Sequence, residues 1–129
     1  MTVVLDTTVL IDILRGRRAA LEAVQRRLTS GERVVASVLS RSEVLVGERP
    51  GEEGATEALF GAVEWHPVDE ATADQAGRLA RRFYASHRTI DLADYVVAAT
   101  AQMLMAELWT SNVKHFPMFA GLKAPYDIG

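Results

Sequence analysis

The sequence predicts a single α/β domain with a mainly parallel sheet. A short apolar run over residues 3–5 leads directly into an amphipathic helical pattern, and a second strand-like run over residues 33–37 leads into another helical stretch. Strands that alternate with helices in this way are typical of parallel sheets covered by helices. The 129 residues, of which 49% are hydrophobic, fit one domain over residues 1–129 with an ordinary core.

A carboxylate lies between the first predicted strand and the helix that follows it. Residues 3–5 form a continuous apolar run of the kind found in strands buried on both faces, and the run ends at Asp6. Thr7 and Thr8 can cap the helix that follows, whose apolar stripe lies within residues 9–14. Ligands of parallel sheets bind beyond the carboxyl ends of the strands, so Asp6 is the first candidate for chemistry.

The next elements continue the alternation. Gly16 is expected to end the first helix, and a second helix follows, with Gly31 just after its end. The strand over residues 33–37 leads into a third helix that closes at Gly47. The predicted apolar face of the second helix consists of Ala20, Leu21, Val24 and Leu28.

The third helix carries a carboxylate among apolar residues. Leu39, Glu43 and Val46 fall at i, i+4 and i+7, so we expect Glu43 on the same core-facing side as two apolar side chains. A carboxylate in that place requires a partner or a function. The structural alternative is a capping box, because Ser40 and Glu43 have its spacing.

The middle of the chain adds a third strand and the clearest helix. A loop over residues 48–54 precedes a short helix, and a strand is predicted within residues 63–68. Asp69 is a candidate N-cap for the helix predicted over residues 70–87. The apolar stripe of that helix comprises Ala76, Leu79, Ala80, Phe83 and Tyr84.

The last third of the chain predicts a central helix and a fourth strand. Residues 90–106 are apolar on nearly every side and rich in alanine, which predicts a helix buried at close packing distance, with Asp91 and Asp94 at its start. Residues 106–112 predict the fourth strand, and residues 123–129 are expected to add a short edge strand.

Acidic or amide side chains follow strands or begin helices at Asp6, Glu43, Asp91, Asp94 and Asn112. If they converge, two carboxylates about 4 Å apart repel by roughly 4 kcal/mol at an effective dielectric of about 20, which protons or a divalent cation must relieve. Oxygen donors without any cysteine favour Mg²⁺ or Mn²⁺ over zinc. Such an ion activates water and stabilises developing charge, so the implied reaction is phosphodiester hydrolysis.

Each of these residues also has a structural explanation. Asp91 and Asp94 have the spacing of an N-cap and an acidic partner. Asp6 before two threonines fits a turn, and Asn112 can cap the last short helix. The three histidines are too scattered for ligands and are interpreted as surface or hydrogen-bonded structural residues.

The charge distribution allows only a local site for a polyanion. A net charge of −3 argues against a generally basic nucleic-acid binder. The candidate contacts are the RGRR segment and the arginine face of the predicted helix over residues 70–87, and solvated surfaces are the simpler explanation of both. The arginines singled out are Arg15, Arg17, Arg18, Arg81 and Arg82.

Four stretches, in order, carry a family resemblance: VVLDTTVLIDIL, SVLSRSEVLVG, LADYVVAATA and LWTSNVKHF. They resemble the PIN-domain ribonucleases that act as VapC-type toxins of bacterial toxin–antitoxin pairs. The resemblance implies that Asp6, Glu43 and Asp94 hold Mg²⁺ or Mn²⁺ and activate water against RNA. The fourth family position, often an aspartate, matches Asn112, whose amide oxygen can ligate but adds no charge.

We therefore interpret the chain as a three-layer α/β/α sandwich, PIN-like, that works as a metal-dependent endoribonuclease. Asp6 and Asp94 are the expected metal ligands, and Glu43 is expected to ligate or to orient the attacking water. Asn112 completes the expected catalytic set. The possible supporting groups are Thr7, Asp91 and Ser111.

The resemblance also implies that the protein has binding partners. A cognate antitoxin, an RNA substrate and a homodimer are expected. Without cysteine, a signal-like N-terminus or a membrane-length apolar run, the protein is expected in the cytoplasm.

A non-catalytic partner-binding protein of this fold is one alternative to the ribonuclease interpretation. VLDTT is also similar to the strand end of aspartyl phosphatases or phosphotransferases, which need a second carboxylate where this chain has Thr8.

Overall fold

The sheet of the computed structural model, which describes residues 1–127, contains four strands. They are β1 (Thr2–Leu5), β2 (Arg33–Ser37), β3 (Glu64–His66) and β4 (Glu107–Trp109). All neighbouring strands are parallel, in the order β3-β2-β1-β4. Val4 lies opposite Val35 on one side and Leu108 on the other, so β1 is paired along both edges. The predicted parallel sheet is confirmed.

Six helices lie in the crossovers of residues 1–127, two in each. They are α1 (Thr7–Leu14), α2 (Arg18–Thr29), α3 (Val38–Val46), α4 (Glu53–Ala62), α5 (Glu70–Phe83) and α6 (Leu92–Met103). A 3₁₀ turn, Val113–His115, follows β4. No helix in this part of the chain is long and apolar enough to cross a membrane.

The side chains of the strands alternate between two apolar layers. Val4 and Val35 pack into the core formed with α5 and α6. Val3 and Leu5, one position to either side, pack into the core that includes side chains of α1, α2, α3 and α4. Because successive strand residues point to opposite faces, each layer of helices covers one face of the sheet. The predicted three-layer sandwich is confirmed.

Helix α6 is buried along its middle, as its composition predicts. All seven residues from Tyr95 to Ala101 are buried. Three of them are alanine, whose small side chain lets neighbouring backbones approach closely. A helix fixed in this way holds its first residues, including Asp94, in a defined position beside the sheet.

Two of the predicted helix caps are wrong. Asp6 itself is the N-cap of α1, because its Oδ1 accepts a hydrogen bond of 2.9 Å from the backbone N–H of Thr7, where Thr7 or Thr8 was the expected cap. Ser37 caps α3, so the capping-box explanation of Ser40 and Glu43 fails. Both helices begin directly at the end of a strand. The capping group is therefore the last residue of the strand or the residue after it.

Two predicted elements end earlier than expected. Helix α5 closes at Phe83, and Tyr84 is 48% exposed. No strand forms over residues 123–127, where an edge strand was expected, and residues 128–129 lie outside the described part of the chain. Instead, Tyr126 holds the tail against α1 by donating a hydrogen bond of 2.7 Å to Asp12 Oδ2.

The predicted apolar face of α2 is only partly covered. Ala20 and Val24 are buried, whereas Leu21 and Leu28 are 41% and 37% exposed. These leucines line a groove of about 440 Å³ between α1, α2 and α4, which we call the apolar groove. The groove is further lined by Ile13, Leu14, Gly16, Gln25, Ala55, Ala58, Leu59, Ala62 and Val63.

Candidate active site

The topology of the sheet creates a crevice beside β1. The chain leaves β1 toward β2 on one side, whereas the crossover from β3 returns to β4 on the other side. The strand order therefore reverses between β1 and β4, and ligands of parallel sheets bind at such a switch point, beyond the carboxyl ends of the strands. Asp6 follows β1 at this place, and Thr110 follows β4.

Asp6 is buried and held by several donors. Asp6 is only 3% exposed. Oδ1 accepts from the N–H of Thr7 at 2.9 Å, and Oδ2 accepts from the hydroxyls of Thr8 at 2.9 Å and Thr110 at 2.7 Å. Burial raises the pKa of Asp6 above its usual value, and the three hydrogen bonds offset only part of that rise. The carboxylate thus has a fixed orientation and a strong demand for a counter-charge.

Glu43 reaches the same crevice from α3, although the expected burial of its side of the helix is wrong at Glu43 and Val46 and holds only at Leu39, which packs against the core. The buried residues of α3 are Ser40 and Val44, whereas Glu43 is exposed and Val46 is 89% exposed. The hydroxyl of Thr7 lies 2.6 Å from Glu43 Oε1, to which it donates, and 2.8 Å from Ser40 Oγ. Thr7 therefore links the glutamate to the helix that carries Asp6.

Asp94 both caps α6 and faces Asp6. The capping explanation is confirmed, because Asp91 Oδ1 accepts from the N–H of Asp94 at 3.1 Å and Asp94 Oδ2 accepts from the N–H of Asp91 at 3.4 Å. Asp94 Oδ2 also lies 2.9 Å from His115 Nδ1. Burial, followed by the carboxylates of Asp91 and Asp6, raises the pKa of Asp94 to about 6, against the lowering effect of His115. Capping and a place in the crevice are thus compatible.

The crevice has a volume of about 380 Å³, and we call it the acidic cleft. It brings together three of the four predicted catalytic residues. Its lining consists of Asp6, Thr7, Thr8, Ile11, Glu43, Val46 and Asp94. The three carboxylates come from the residue after β1, from within α3 and from the first turn of α6, and they face one space. This is the convergence that the sequence alone could not demonstrate.

The other predicted site residues lie around the cleft rather than in its lining. Asn112 precedes the 3₁₀ turn, where its side chain makes no capping hydrogen bond, and its N–H donates to Thr110 Oγ1 at 2.9 Å. The N–H of Ser111 donates to Thr8 Oγ1 at 3.1 Å. Asp91 is exposed and serves as the N-cap of α6. These three residues contact the site through the backbone or through a cap.

The donor set fits a hard divalent cation. Within residues 1–127, no group of three or more His, Cys, Asp or Glu side chains is close enough to form a complete metal cage. Mg²⁺ does not need such a cage, because it keeps several of its waters and is usually held by one or two carboxylates. Asp6 and Asp94 offer two carboxylates to one cleft, and the negative charge of Asp6 contributes to the raised pKa of Asp94.

The predicted arginines occupy different environments. Arg15 is engaged with its own chain, because its guanidinium donates to Glu52 at 2.8 and 3.1 Å and to the carbonyl of Gly47 at 2.9 Å. Arg17 lies 3.6 Å from Asp12. The other four predicted arginines, Arg17, Arg18, Arg81 and Arg82, are exposed. Arg15 thus fixes the loop after α3 to α1.

Sequence reasoning missed three contacts of the site. Ser40 and Thr110 supply hydroxyls beside Glu43 and Asp6, and His115 contacts Asp94. The only local signal was that Thr110 follows a strand, as Asp6 does. His115 was grouped with histidines too scattered to be ligands, and the structure gives it the hydrogen-bonded role.

An acidic cleft at the switch point of a parallel sheet defines an α/β protein with a candidate cation-dependent active site. Comparison with known proteins narrows the class. The PIN domain model matches residues 3–117, so the chain belongs to the PIN-domain family.

Relatives and a solved structure agree with this assignment. The chain is 49% identical to Ribonuclease VapC19 of Mycobacterium tuberculosis over 122 residues, which cover 95% of this chain and 98% of the relative. It is 37% identical to Ribonuclease VapC10 of the same organism, over 98% of this chain and 94% of the relative. A toxin–antitoxin complex from Klebsiella pneumoniae contains a chain that superposes with a TM-score of 0.78 at 27% identity, covering 98% of this chain and 99% of that chain.

Proposed function

We propose that the protein is an Mg²⁺- or Mn²⁺-dependent endoribonuclease that hydrolyses RNA phosphodiester bonds and acts as the toxin of a toxin–antitoxin pair. The observation that carries the proposal is the convergence of Asp6, Glu43 and Asp94 on one cleft. The cleft lies in a chain that is 49% identical to a protein named as a ribonuclease. Since the proposed substrate is RNA, we also propose that the toxin acts in the cytoplasm.

The residues of the cleft divide the chemistry between them. Asp6 and Asp94 would hold the ion, which lowers the pKa of a bound water and stabilises charge on the phosphoryl oxygens. Glu43 is exposed to the cleft, where Thr7 orients it, and we assign it to accept the proton of the attacking water. Thr8 and Thr110 keep the Asp6 carboxylate in one orientation before any ligand arrives.

Exposed arginines are the proposed contacts of the RNA backbone. Arg17 directly precedes α2 and Arg18 is its first residue, whereas Arg81 and Arg82 lie on α5. We expect reversal of charge at either pair to weaken RNA binding and to flatten its salt dependence, since fewer counterions are released. Fluorescence anisotropy over a salt series measures this for each double variant beside the wild type. Equal salt slopes for wild type and both double variants would contradict the assignment.

The apolar groove is the proposed binding surface for a partner protein. Leu21 and Leu28 are half exposed in a groove with an almost entirely apolar lining, which a soluble protein usually covers. The solved complexes with the same fold contain an antitoxin, and we assign the groove to an apolar segment of the cognate antitoxin. Leu21→Asp with Leu28→Asp should release the antitoxin in a pull-down while RNA cleavage persists.

We also propose that the toxin forms a homodimer. Analytical sedimentation of the purified toxin tests this proposal.

The decisive experiment is a cleavage assay on the purified toxin. We expect cuts in a mixed RNA with Mn²⁺ or Mg²⁺, none after chelation, and none with Asp6→Asn under the same conditions. Sequencing of the new RNA ends identifies the substrate and the cleaved bond. A protein that binds its antitoxin but cleaves no RNA with either ion would instead be a non-catalytic partner-binding protein.

A further inference from the structure

The segment after β4 contacts two of the three carboxylates of the acidic cleft. At its start, Thr110 is fully buried and its hydroxyl donates to Asp6 Oδ2 at 2.7 Å. At its end, His115 Nδ1 lies 2.9 Å from Asp94 Oδ2. We call residues 110–115 the bridging turn, because its side chains form hydrogen bonds with both Asp6 and Asp94.

The bridging turn is held together by its own hydrogen bonds. The N–H of Asn112 donates to Thr110 Oγ1 at 2.9 Å, and the N–H of His115 donates to the carbonyl of Asn112 at 3.0 Å. Phe116, which follows directly, is 1% exposed and anchors the end of the turn in the core. The two side chains that reach the carboxylates are therefore fixed relative to each other.

We propose that His115 is a positioning residue for Asp94, and that the bridging turn sets the relative placement of the two carboxylates that hold the ion. Because a carboxylate only accepts, the proton of this hydrogen bond is carried by Nδ1 of the imidazole. The bond occupies Oδ2 of Asp94 and restricts rotation of the carboxyl group. The inference rests on the proposed function, since it concerns the ion expected between Asp6 and Asp94.

The proposal gives a different explanation of the position matched to Asn112. Asn112 was predicted to complete the catalytic set, with an amide oxygen that can ligate but adds no charge. The Asn112 side chain does not line the cleft, whereas the imidazole three residues later contacts a cleft carboxylate directly. In this chain, the segment after β4 thus acts on the site through a hydrogen bond to a ligand rather than by adding a ligand.

The test compares two replacements of His115 by isothermal titration with Mn²⁺ alone. His115→Leu keeps much of the volume but removes the donor, and we expect the Mn²⁺ affinity to fall about tenfold or more, as for other residues that orient a ligand. His115→Asn places an amide donor near the position of Nδ1 and should recover most of the affinity. His87→Leu is the matched control, because His87 bonds to Ser86 and not to the cleft.

Kinetics provide the second readout. At saturating Mn²⁺ we expect His115→Leu to lower kcat while KM for RNA stays near the wild-type value, because the residue acts on the ion site and not on the substrate. Melting curves in chelator verify that each variant is folded. Wild-type Mn²⁺ affinity in His115→Leu, or equal losses in His115→Leu and His115→Asn, would overturn the proposal.

The experiment separates this inference from the function on which it rests. Asp94→Asn is titrated in parallel and should lose most Mn²⁺ affinity. If Asp94→Asn loses affinity while His115→Leu does not, the cleft binds the ion as proposed and only the role of His115 is refuted. If the wild type binds no Mn²⁺, both proposals fail.

Discussion

Asp6 and Glu43 are carboxylates of the same cleft, yet they differ in burial and in the hydrogen-bond donors that contact them. Asp6 is 3% exposed and accepts from three donors, the Thr7 N–H and the Thr8 and Thr110 hydroxyls. Glu43 is exposed, and the Thr7 hydroxyl is the donor to its carboxylate. One carboxylate is fixed before a ligand arrives, whereas the other can still move.

This difference suits the two carboxylates to different tasks, ion binding for Asp6 and proton transfer for Glu43. A buried carboxylate with restricted geometry is suited to holding an ion, because little reorganisation is needed on binding. A carboxylate at the opening that few groups hold is suited to taking a proton, since it can come within hydrogen-bond reach of the attacking water. The comparison therefore predicts that loss of Asp6 affects ion binding and that loss of Glu43 affects turnover.

Asp6→Asn should have the largest effect. Loss of a ligand charge removes several kcal/mol of stabilisation, so we expect cleavage to fall by about a thousandfold or more. Asparagine is as good a helix cap as aspartate, and removal of a buried charge relieves repulsion. In chelator, the variant should therefore melt at or above the wild-type temperature.

Mn²⁺ distinguishes this outcome from a purely structural role of Asp6. An ion that binds only the folded state adds about 2.7 kcal/mol at a hundredfold excess over Kd, and the variant should lose most of that gain. Melting with chelator and with Mn²⁺, beside a cleavage assay on the same samples, measures both. An active Asp6→Asn protein that Mn²⁺ stabilises as it does the wild type would remove the first ligand from the mechanism.

Glu43→Gln should affect turnover and spare ion binding. Loss of a general base costs about 10²- to 10⁴-fold in rate, whereas the Mn²⁺ affinity should change much less than in Asp6→Asn. Single-turnover cleavage and Mn²⁺ titration of the two variants provide the comparison. Glu48→Gln, in the loop after α3, is the control for the loss of one acidic charge from this region. If Glu43→Gln and Asp6→Asn lose Mn²⁺ affinity equally, the proposed division of tasks is wrong.

Removal of single hydroxyls gives a smaller test of the same contrast. Thr7→Val removes the donor to Glu43, and Thr110→Val removes a donor to Asp6, while both keep the side-chain shape. We expect Thr7→Val to lower the cleavage rate at unchanged Mn²⁺ affinity. Thr110→Val should weaken Mn²⁺ binding by about tenfold. If Thr7→Val instead weakened Mn²⁺ binding and Thr110→Val lowered only the cleavage rate, the two hydroxyls would have the opposite roles.

The parts of the fold that the sequence could predict are those with a local pattern. The unbroken apolar run of β1, the all-apolar middle of α6 and the cap of α5 at Asp69 each depend on neighbours in the chain, and each was found. Helix periodicity failed at α3, because it identifies which residues share a side but not which side faces the core. Glu43 and Val46 share a side, and that side is exposed.

The contacts that complete the site are not local. Thr110 and Asp6 are 104 residues apart, and His115 and Asp94 are 21 apart. Their pairing depends on which strand neighbours β1, and the strand order cannot be read from one sequence. The carboxylates themselves were identifiable because a charged residue at the end of an apolar run is unusual, whereas a threonine or histidine in a loop is ordinary.

The last and smallest predicted effect is a change of sign in the pH dependence of stability. The pKa of Asp94 is raised to about 6 in the folded protein, from 3.8, and that of Asp6 is also raised. A raised folded-state pKa contributes stability that is fully present below the unfolded-state value and is lost as the pH rises through the folded-state value. In chelator, the free energy of unfolding should therefore fall between pH 5 and pH 7.5.

The expected fall is on the order of 1 kcal/mol, because one unit of pKa corresponds to about 1.4 kcal/mol and Asp94 is partly screened by solvent. In Mn²⁺ the slope should reverse, since the ion binds ionised carboxylates and competes with protons. Urea unfolding at both pH values measures the slopes, and Asp94→Asn should flatten both. An equal slope in chelator and in Mn²⁺ would show that the carboxylates with raised pKa do not bind the ion, and the contrast between Asp6 and Glu43 would then reflect burial alone.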